Sequence, residues 1–419
     1  MKSVLIIPDG CADLPVALLG GFTPMFCART PVLDDLVSEG IIGKSLYVPH
    51  GMAPGSDVAT LGLLGYYPKK YYTGRAPIEA AAQKILLGEN DWAIRCNLVT
   101  IDGAKNGNQD GGKDDNLLMK SFTAGHISSE EAALLIETLN DKIAPLSPVQ
   151  IKFHSGVSYR NLCIASNCNT CFAKTTTTYP PHDYTDKPIA QALPSGKGSR
   201  LLRKLMNESQ KVFAEHPVNI KRKNSNKLPA TQIWLWGLGQ KPKLPNFGEQ
   251  FNRPDMRCAM ITAVDLLRGI AALIGWDNII VPNITGYVDT DFAAKGSYAV
   301  KAIEKYDLVC VHIEATDEAG HEGNAEKKVY ALEQIDEHIV KPIYNALKNC
   351  GDDWRIMVTP DHPTPIVHKT HTSEFVPWVL AGSDIKKSGV KDGYNETSAE
   401  KNAIYTFKEG WKMIKLLVQ

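Results

Sequence analysis

DLVCVHIEATDEAGHEG, residues 307–323, is the stretch whose reading decides the fold. It opens as a continuous apolar run, and a strand that is apolar on both faces belongs inside a parallel sheet covered by helices. It closes on Asp317 and His321, just past the point where that strand ends. Similar runs recur at residues 4–7 (VLII) and in NIIVP, WRIMVTP and FVPWVLAG. Helical patterns lie between them. Thr30-Pro31 opens a Thr-capped helix that Gly40 stops, and SDVATLGLLG places Ser56 or Asp57 at a second helix start. AMITAVDLLRGIAALIG, YAVKAIEKY and VYALEQIDEHIVKPIYNAL read as further helices. Strands alternating with helices predict an α/β, doubly wound, mostly parallel sheet.

Working outward, this style holds in residues 1–74 and 231–419, while 75–230 reads as an insertion. That middle region holds a polar stretch, IDGAKNGNQDGGKDDN, expected as a solvent-facing hairpin or loop. It also holds a capping box at Ser128 and Glu131, an amphipathic helix LLRKLMNESQKVFAEH and a basic loop KRKNSNK. The basic run lacks interleaved aromatics and reads as a solvated loop. At 419 residues the chain exceeds a single domain of roughly 150.

Lys plus Arg and Asp plus Glu stand at 46 each. A neutral chain has no broad basic field, which argues against nucleic acid as its partner. No apolar run approaches the length of a membrane span, and the apolar run after Met1 is too short for a signal-peptide core, so a cytoplasmic location is expected. Nine scattered cysteines fit reduced thiols, Cys168 and Cys171 included. A homo-oligomer is left open.

The chemistry is concentrated. Six of the 11 histidines (His312, His321, His338, His362, His368, His371) fall within residues 312–371, where an even spread gives about one and a half. Asp361 and His362 follow WRIMVTP, His371 lies before the next strand, and Asp9 follows the first strand. Ligands of open parallel sheets bind at the carboxyl ends of strands, so these groups converge on one edge. Asp9, Ser56, Asp317, His321, Asp361, His362 and His371 form a mixed oxygen and nitrogen donor set, too large for one cation and suited to two. Manganese, zinc, cobalt or magnesium are the candidate ions. Ser56 is the candidate nucleophile, activated by a cation and a helix N-terminus. Taken alone, an Asp-His pair is usually a turn and a Ser before Asp usually a cap. His312 and His338 read as structural.

IIPDG, GSDVATLGLLGYYP, YTGRAPIEAAA, RCNLVT, GVSYRNL, PPHD, WLWG, TGYVDTDF, DEAGHEG, PDHPTP and HKTHTSEFVPW occur in this order. In them the chain resembles the archaeal-type cofactor-independent phosphoglycerate mutases of the alkaline phosphatase superfamily. The resemblance implies an alkaline-phosphatase-like core with an inserted smaller α+β cap. It implies Asp317, His321 and His371 on one metal, and Asp9, Ser56, Asp361 and His362 on the other. It implies a phosphoseryl intermediate on Ser56 and 3-phosphoglycerate, a small phosphorylated acid, as the substrate. Arg160, His182 and Asp183 match family positions for substrate contacts. Arg75 and Arg95 are anion candidates because guanidinium pairs with oxyanions bidentately, and Lys295 is a candidate phosphate contact. PDHPTPIVHKTHTSE is also similar to a bacterial subgroup for which a homoserine kinase role has been proposed, so transfer to homoserine, or simple phosphatase action, is the alternative.

Overall fold

The computed structural model describes residues 1–102 and 117–419. The polar stretch expected as a loop lies, from residue 103 on, outside the described residues. The chain divides into two units, Met1–Tyr72 with Lys243–Gln419, and Thr73–Pro242.

The first unit is built on a sheet ordered β13-β2-β12-β11-β1-β10-β8-β9. Its strands are β1 (Lys2–Pro8), β2 (Ile41–Ser45), β8 (Cys258–Ile261), β9 (Asp277–Ile279), β10 (Leu308–Ile313), β11 (Trp354–Val358), β12 (Val376–Gly382) and β13 (Tyr405–Phe407). β1 runs parallel to both neighbours, Ile6 opposite Val311 of β10 and Val358 of β11. Only β12 is antiparallel to the strands beside it. Val4, Leu5, Ile6 and Ile7 are wholly buried, each stabilising the fold by roughly 1.5–3 kcal/mol relative to exposure. That double burial is why β1 reads as unbroken hydrophobe.

The second unit is antiparallel. β3 (Trp92–Asp102) carries β6 (Arg160–Ala165) on one side and β7 (Gln232–Gln240) on the other, with β4 (Leu118–Ser121) and β5 (Ile151–Val157) completing the sheet. Helix Ser129–Lys142 packs on β5 and helix Ser199–Ala214 on β7. Leu135, Leu205, Phe213, Phe153 and Trp234 lie in the shared core. The capping box forms as expected, Ser128 accepting from Glu131 N–H and Glu131 from Ser128 N–H. The unit runs to Pro242, beyond the exit expected at 230, because β7 pairs with β3.

Four other local expectations need correction. AMITAVDLLRGIAALIG is not one helix: β8 takes its start and helix Asp265–Leu273 follows. KRKNSNK is not wholly a loop, since Lys221 to Asn224 complete helix Pro217–Asn224. Lys221, Arg222 and Lys223 lie in its last turn, where the peptide dipoles favour positive charge, and Arg222 is buried with its guanidinium on Glu131. Thr30 makes no side-chain cap. Instead the Asp336 carboxylate accepts from Val32 N–H (3.1 Å) and Leu33 N–H (2.7 Å), reaching from a π turn, Asp336–Val340, that precedes Pro342. Finally, Cys168 and Cys171 are joined as a disulfide, brought together by a turn in which Cys171 N–H bonds Cys168 O.

Candidate metal centre

Strand order puts the chemistry on one edge. Asp9 follows β1, Asp361 and His362 follow β11, and helix Ala315–Glu322 follows β10 with Asp317 and His321 one turn apart on the same face. Ser56 opens helix Ser56–Leu63, whose N-terminus favours an anion. Gly10 completes the turn after β1 with φ +59°, and a Cβ there would strike both Asp317 and Thr364. Only glycine fits this point.

Asp317, His321 and His371 meet closely. His321 Nε2 lies 3.2 Å from Asp317 Oδ2 and 2.9 Å from His371 Nε2, which is 3.5 Å from Asp317 Oδ1. Each imidazole is oriented from behind. His321 Nδ1 faces Lys369 O at 3.0 Å and His371 Nδ1 faces Pro54 O at 2.8 Å. Carbonyls only accept, so each Nδ1 carries a proton, and each Nε2 is the nitrogen turned inward, a lone-pair donor whenever its ring is neutral. A carboxylate and two imidazole Nε2 atoms converging on one point favour positive charge there, whether a proton on an imidazole or a cation. Burial works against ionising Asp317, yet hydrogen bonds from His321 and His371 hold its carboxyl well below the usual range. The contact with Asp317 raises His321 to about 9.

The neighbouring group is more buried. His362 Nε2 is 3.2 Å from Ser56 Oγ, 3.5 Å from Asp9 Oδ1 and 3.6 Å from Asp361 Oδ2. His362 Nδ1 faces Pro363 O at 3.3 Å, again leaving Nε2 as the inward donor. Asp9 Oδ1 and Asp361 Oδ2 are buried without a hydrogen-bond partner among the described residues. Leaving a carboxylate oxygen so is costly, and burial together with Asp361 and Asp317 pushes the Asp9 carboxyl well above its ordinary value. Burial lowers His362.

Within these groups, Asp317, His362 and His371 can offer donors to one cation and Asp9, Asp361 and His362 to another. Orphaned carboxylate oxygens and inward imidazole lone pairs are what a cation site requires, so the residues fit divalent metals. All seven expected donors are brought to this edge, with His362 common to both groups.

A family model described as 2,3-bisphosphoglycerate-independent phosphoglycerate mutase matches residues 38–219. A protein of that name from Methanothrix thermoacetophila is 42% identical over 418 residues, covering 100% of both chains. The chain belongs to the 2,3-bisphosphoglycerate-independent phosphoglycerate mutase family. Two solved structures agree in fold with this phosphoglycerate mutase chain. A protein from Pyrococcus horikoshii superposes with TM-score 0.79 at 25% identity, covering 100% of this chain and 96% of its own. The cofactor-independent phosphoglycerate mutase of Thermoplasma acidophilum superposes with TM-score 0.65 at 25% identity, covering 100% and 99%.

The mutase-family residues expected to meet substrate divide between the units. Arg75, Arg95, Arg160, His182 and Asp183 all lie in the second. Glu79 joins Arg75 Nε (3.1 Å) to Arg95 Nε (2.9 Å), and the Arg95 guanidinium lies 3.9 Å over the Trp236 ring. Burial pulls Arg95 down to about 10, against Glu79 and with Arg75, so it stays charged at neutral pH. His182 packs edge-on against Phe122 and Trp236. Burial lowers it, and Arg95, Arg75 and Arg160 add to the effect against Asp183, so three guanidinium groups act on one imidazole. Lys295 departs from its expected role. It is wholly buried in the first unit, its Nζ on His312 O at 3.5 Å, and burial lowers it to about 8. It supports the backbone of β10 and has no surface to offer a phosphate.

Sequence reasoning missed three contributors. Thr364 donates to Asp317 Oδ1 at 2.5 Å, and Lys328 holds Thr364 O at 2.8 Å and Asp13 Oδ2 at 2.7 Å. His312, read as structural, touches Asp9. A histidine inside an otherwise apolar strand was the one available signal. His338 and His368 are exposed.

Among the described residues, no helix is long and apolar enough to cross a membrane.

Proposed function

We propose that this chain interconverts 3-phosphoglycerate and 2-phosphoglycerate by passing the phosphoryl group through Ser56. One observation carries the reading: the Ser56 oxygen lies beside the imidazole nitrogen that Asp9 and Asp361 also face. Asp9, Ser56, Asp361 and His362 would hold one divalent ion, and Asp317, His321 and His371 the other. When bound, such ions favour ionisation of a nearby hydroxyl and offset charge building on phosphoryl oxygens.

The chain's own residues do the rest. The N-terminus of helix Ser56–Leu63 favours negative charge on Ser56 Oγ. That oxygen attacks phosphorus in line, the bond between phosphorus and the glycerate oxygen breaks, and phosphoserine forms. The other glycerate hydroxyl then attacks, and the serine oxygen leaves. The second unit, residues 73–242, is assigned as the substrate-binding domain. Its arginines Arg75, Arg95 and Arg160, with His182 and Asp183, would hold the glycerate while its hydroxyls exchange, because guanidinium matches a carboxylate bidentately.

The test is a substrate comparison. Metal-stripped protein given Mn²⁺ back is assayed with 3-phosphoglycerate, and with homoserine and a phosphoryl donor. Mn²⁺-dependent formation of 2-phosphoglycerate supports the mutase reading. Phosphorylation of homoserine without mutase turnover, or release of inorganic phosphate alone, overturns it.

A further inference from the structure

His312 sits in β10, opposite Ile7 of β1 and one register position from the end that leads into Asp9. It is wholly buried. Both ring nitrogens are engaged: Nε2 lies 2.9 Å from Asp9 Oδ2, and Nδ1 lies 3.2 Å from Thr262 Oγ1. As a cation ligand Asp9 is ionised, and an ionised carboxylate only accepts, so Nε2 then carries the proton. A neutral imidazole has one N–H, which leaves Nδ1 as an acceptor for the Thr262 hydroxyl. That hydroxyl can supply its proton because its oxygen is already held by Val264 N–H at 3.1 Å. The chain of donors therefore runs one way, from Val264 N–H to Thr262, from Thr262 to His312, and from His312 to Asp9.

The consequence falls on the other carboxylate oxygen. With Oδ2 fixed, Oδ1 is the atom that has no hydrogen-bond partner and lies 3.5 Å from His362 Nε2. The Asp9 backbone is pinned as well, its N–H on Ile313 O and its carbonyl accepting from Thr316. We propose that His312, held in the Nε2–H form by Thr262, is a positioning residue that orients Asp9 so that Oδ1 faces the cation. Groups behind a metal ligand commonly alter affinity by 10–100-fold when removed, because the ligand then loses its fixed direction.

The inference rests on the reading of Asp9 as a cation ligand, and one experiment separates the two. Mn²⁺ alone is titrated calorimetrically into the metal-free full chain, as wild type, His312→Leu and His312→Gln. In His312→Leu one Mn²⁺ equilibrium weakens by about 10–100-fold while the other is unchanged. In His312→Gln, whose side-chain amide can place an N–H near the position of Nε2, most of that affinity returns. A wild-type chain that takes up no Mn²⁺ overturns the cation reading itself. Normal uptake by wild type and by His312→Leu alike overturns only the role of His312, as does equal loss at both sites with no rescue by Gln. Should His312→Leu fail to fold, ¹⁵N spectra of histidine-labelled wild type loaded with Zn²⁺ decide the matter. The Nε2–H tautomer at His312 is expected, and the Nδ1–H tautomer contradicts the proposal.

Discussion

Ser56 Oγ lies 3.2 Å from Nε2 of His362, the residue that belongs to both groups of candidate cation ligands. A hydroxyl in that position is the natural nucleophile of the edge, because the proposed cation held by Asp9, Asp361 and His362 would lie beside its oxygen. Ser56→Ala should therefore lower 3-phosphoglycerate turnover by about 10³-fold or more. Stability should change by no more than about 0.5 kcal/mol, as for a substitution outside the packed core. A variant with near-normal turnover in a coupled assay contradicts the role.

Gly10 combines positive φ with close approach to Asp317 and Thr364. Gly10→Ala should cost about 1–3 kcal/mol in urea unfolding through backbone strain, and weaken Mn²⁺ uptake because the added methyl displaces Asp317. Wild-type stability with unchanged uptake would show that the turn tolerates a side chain.

Lys328 and Asp13 form an ion pair with neither side chain exposed, and Lys328 Nζ also bonds Thr364 O. Lys328→Met leaves the Asp13 charge buried without its partner. The expected loss is about 3–5 kcal/mol, partly recovered in the Lys328→Met/Asp13→Asn double variant. Denaturant midpoints of the three proteins measure it, and additive losses in the double variant would contradict the pairing.

Asp336 carries a pH dependence. Burial raises its carboxyl from 3.8 to about 6, against the Leu33 and Val32 N–H groups that favour its charge. A carboxyl with a raised folded value is protonated more readily in the folded chain, so its contribution is full below about pH 4 and is lost as pH rises through 6. Wild type should therefore lose stability relative to Asp336→Asn between pH 4 and pH 7 in urea unfolding. A difference that stays constant with pH refutes this.

Much of the fold and of the site is legible in the sequence. β1, β10 and β11 are apolar without alternation because both faces are covered, and each donor or donor pair follows such a run, except His371, which precedes one, and Ser56, which opens a helix. What was hidden depended on partners distant in sequence. Residues 259–261 run into the hydrophobic pattern of the next helix, and periodicity cannot divide a short buried strand from a helix start. Asp336 caps a helix some 300 positions away. The role of His312 is set by the register that brings β10 beside β1, and the burial of Lys295 by packing against the same strand. Apart from the histidine placed in an apolar strand, none of these leaves a local mark.

The central claim is that the phosphoryl group rests on Ser56 between its two positions on glycerate. Its most direct test is peptide mapping by mass spectrometry of enzyme quenched in acid during Mn²⁺-supported turnover of 3-phosphoglycerate. One phosphoryl group on Ser56, absent when Mn²⁺ is chelated, is the predicted result. Full turnover with Ser56 unmodified at every quench time would contradict the account.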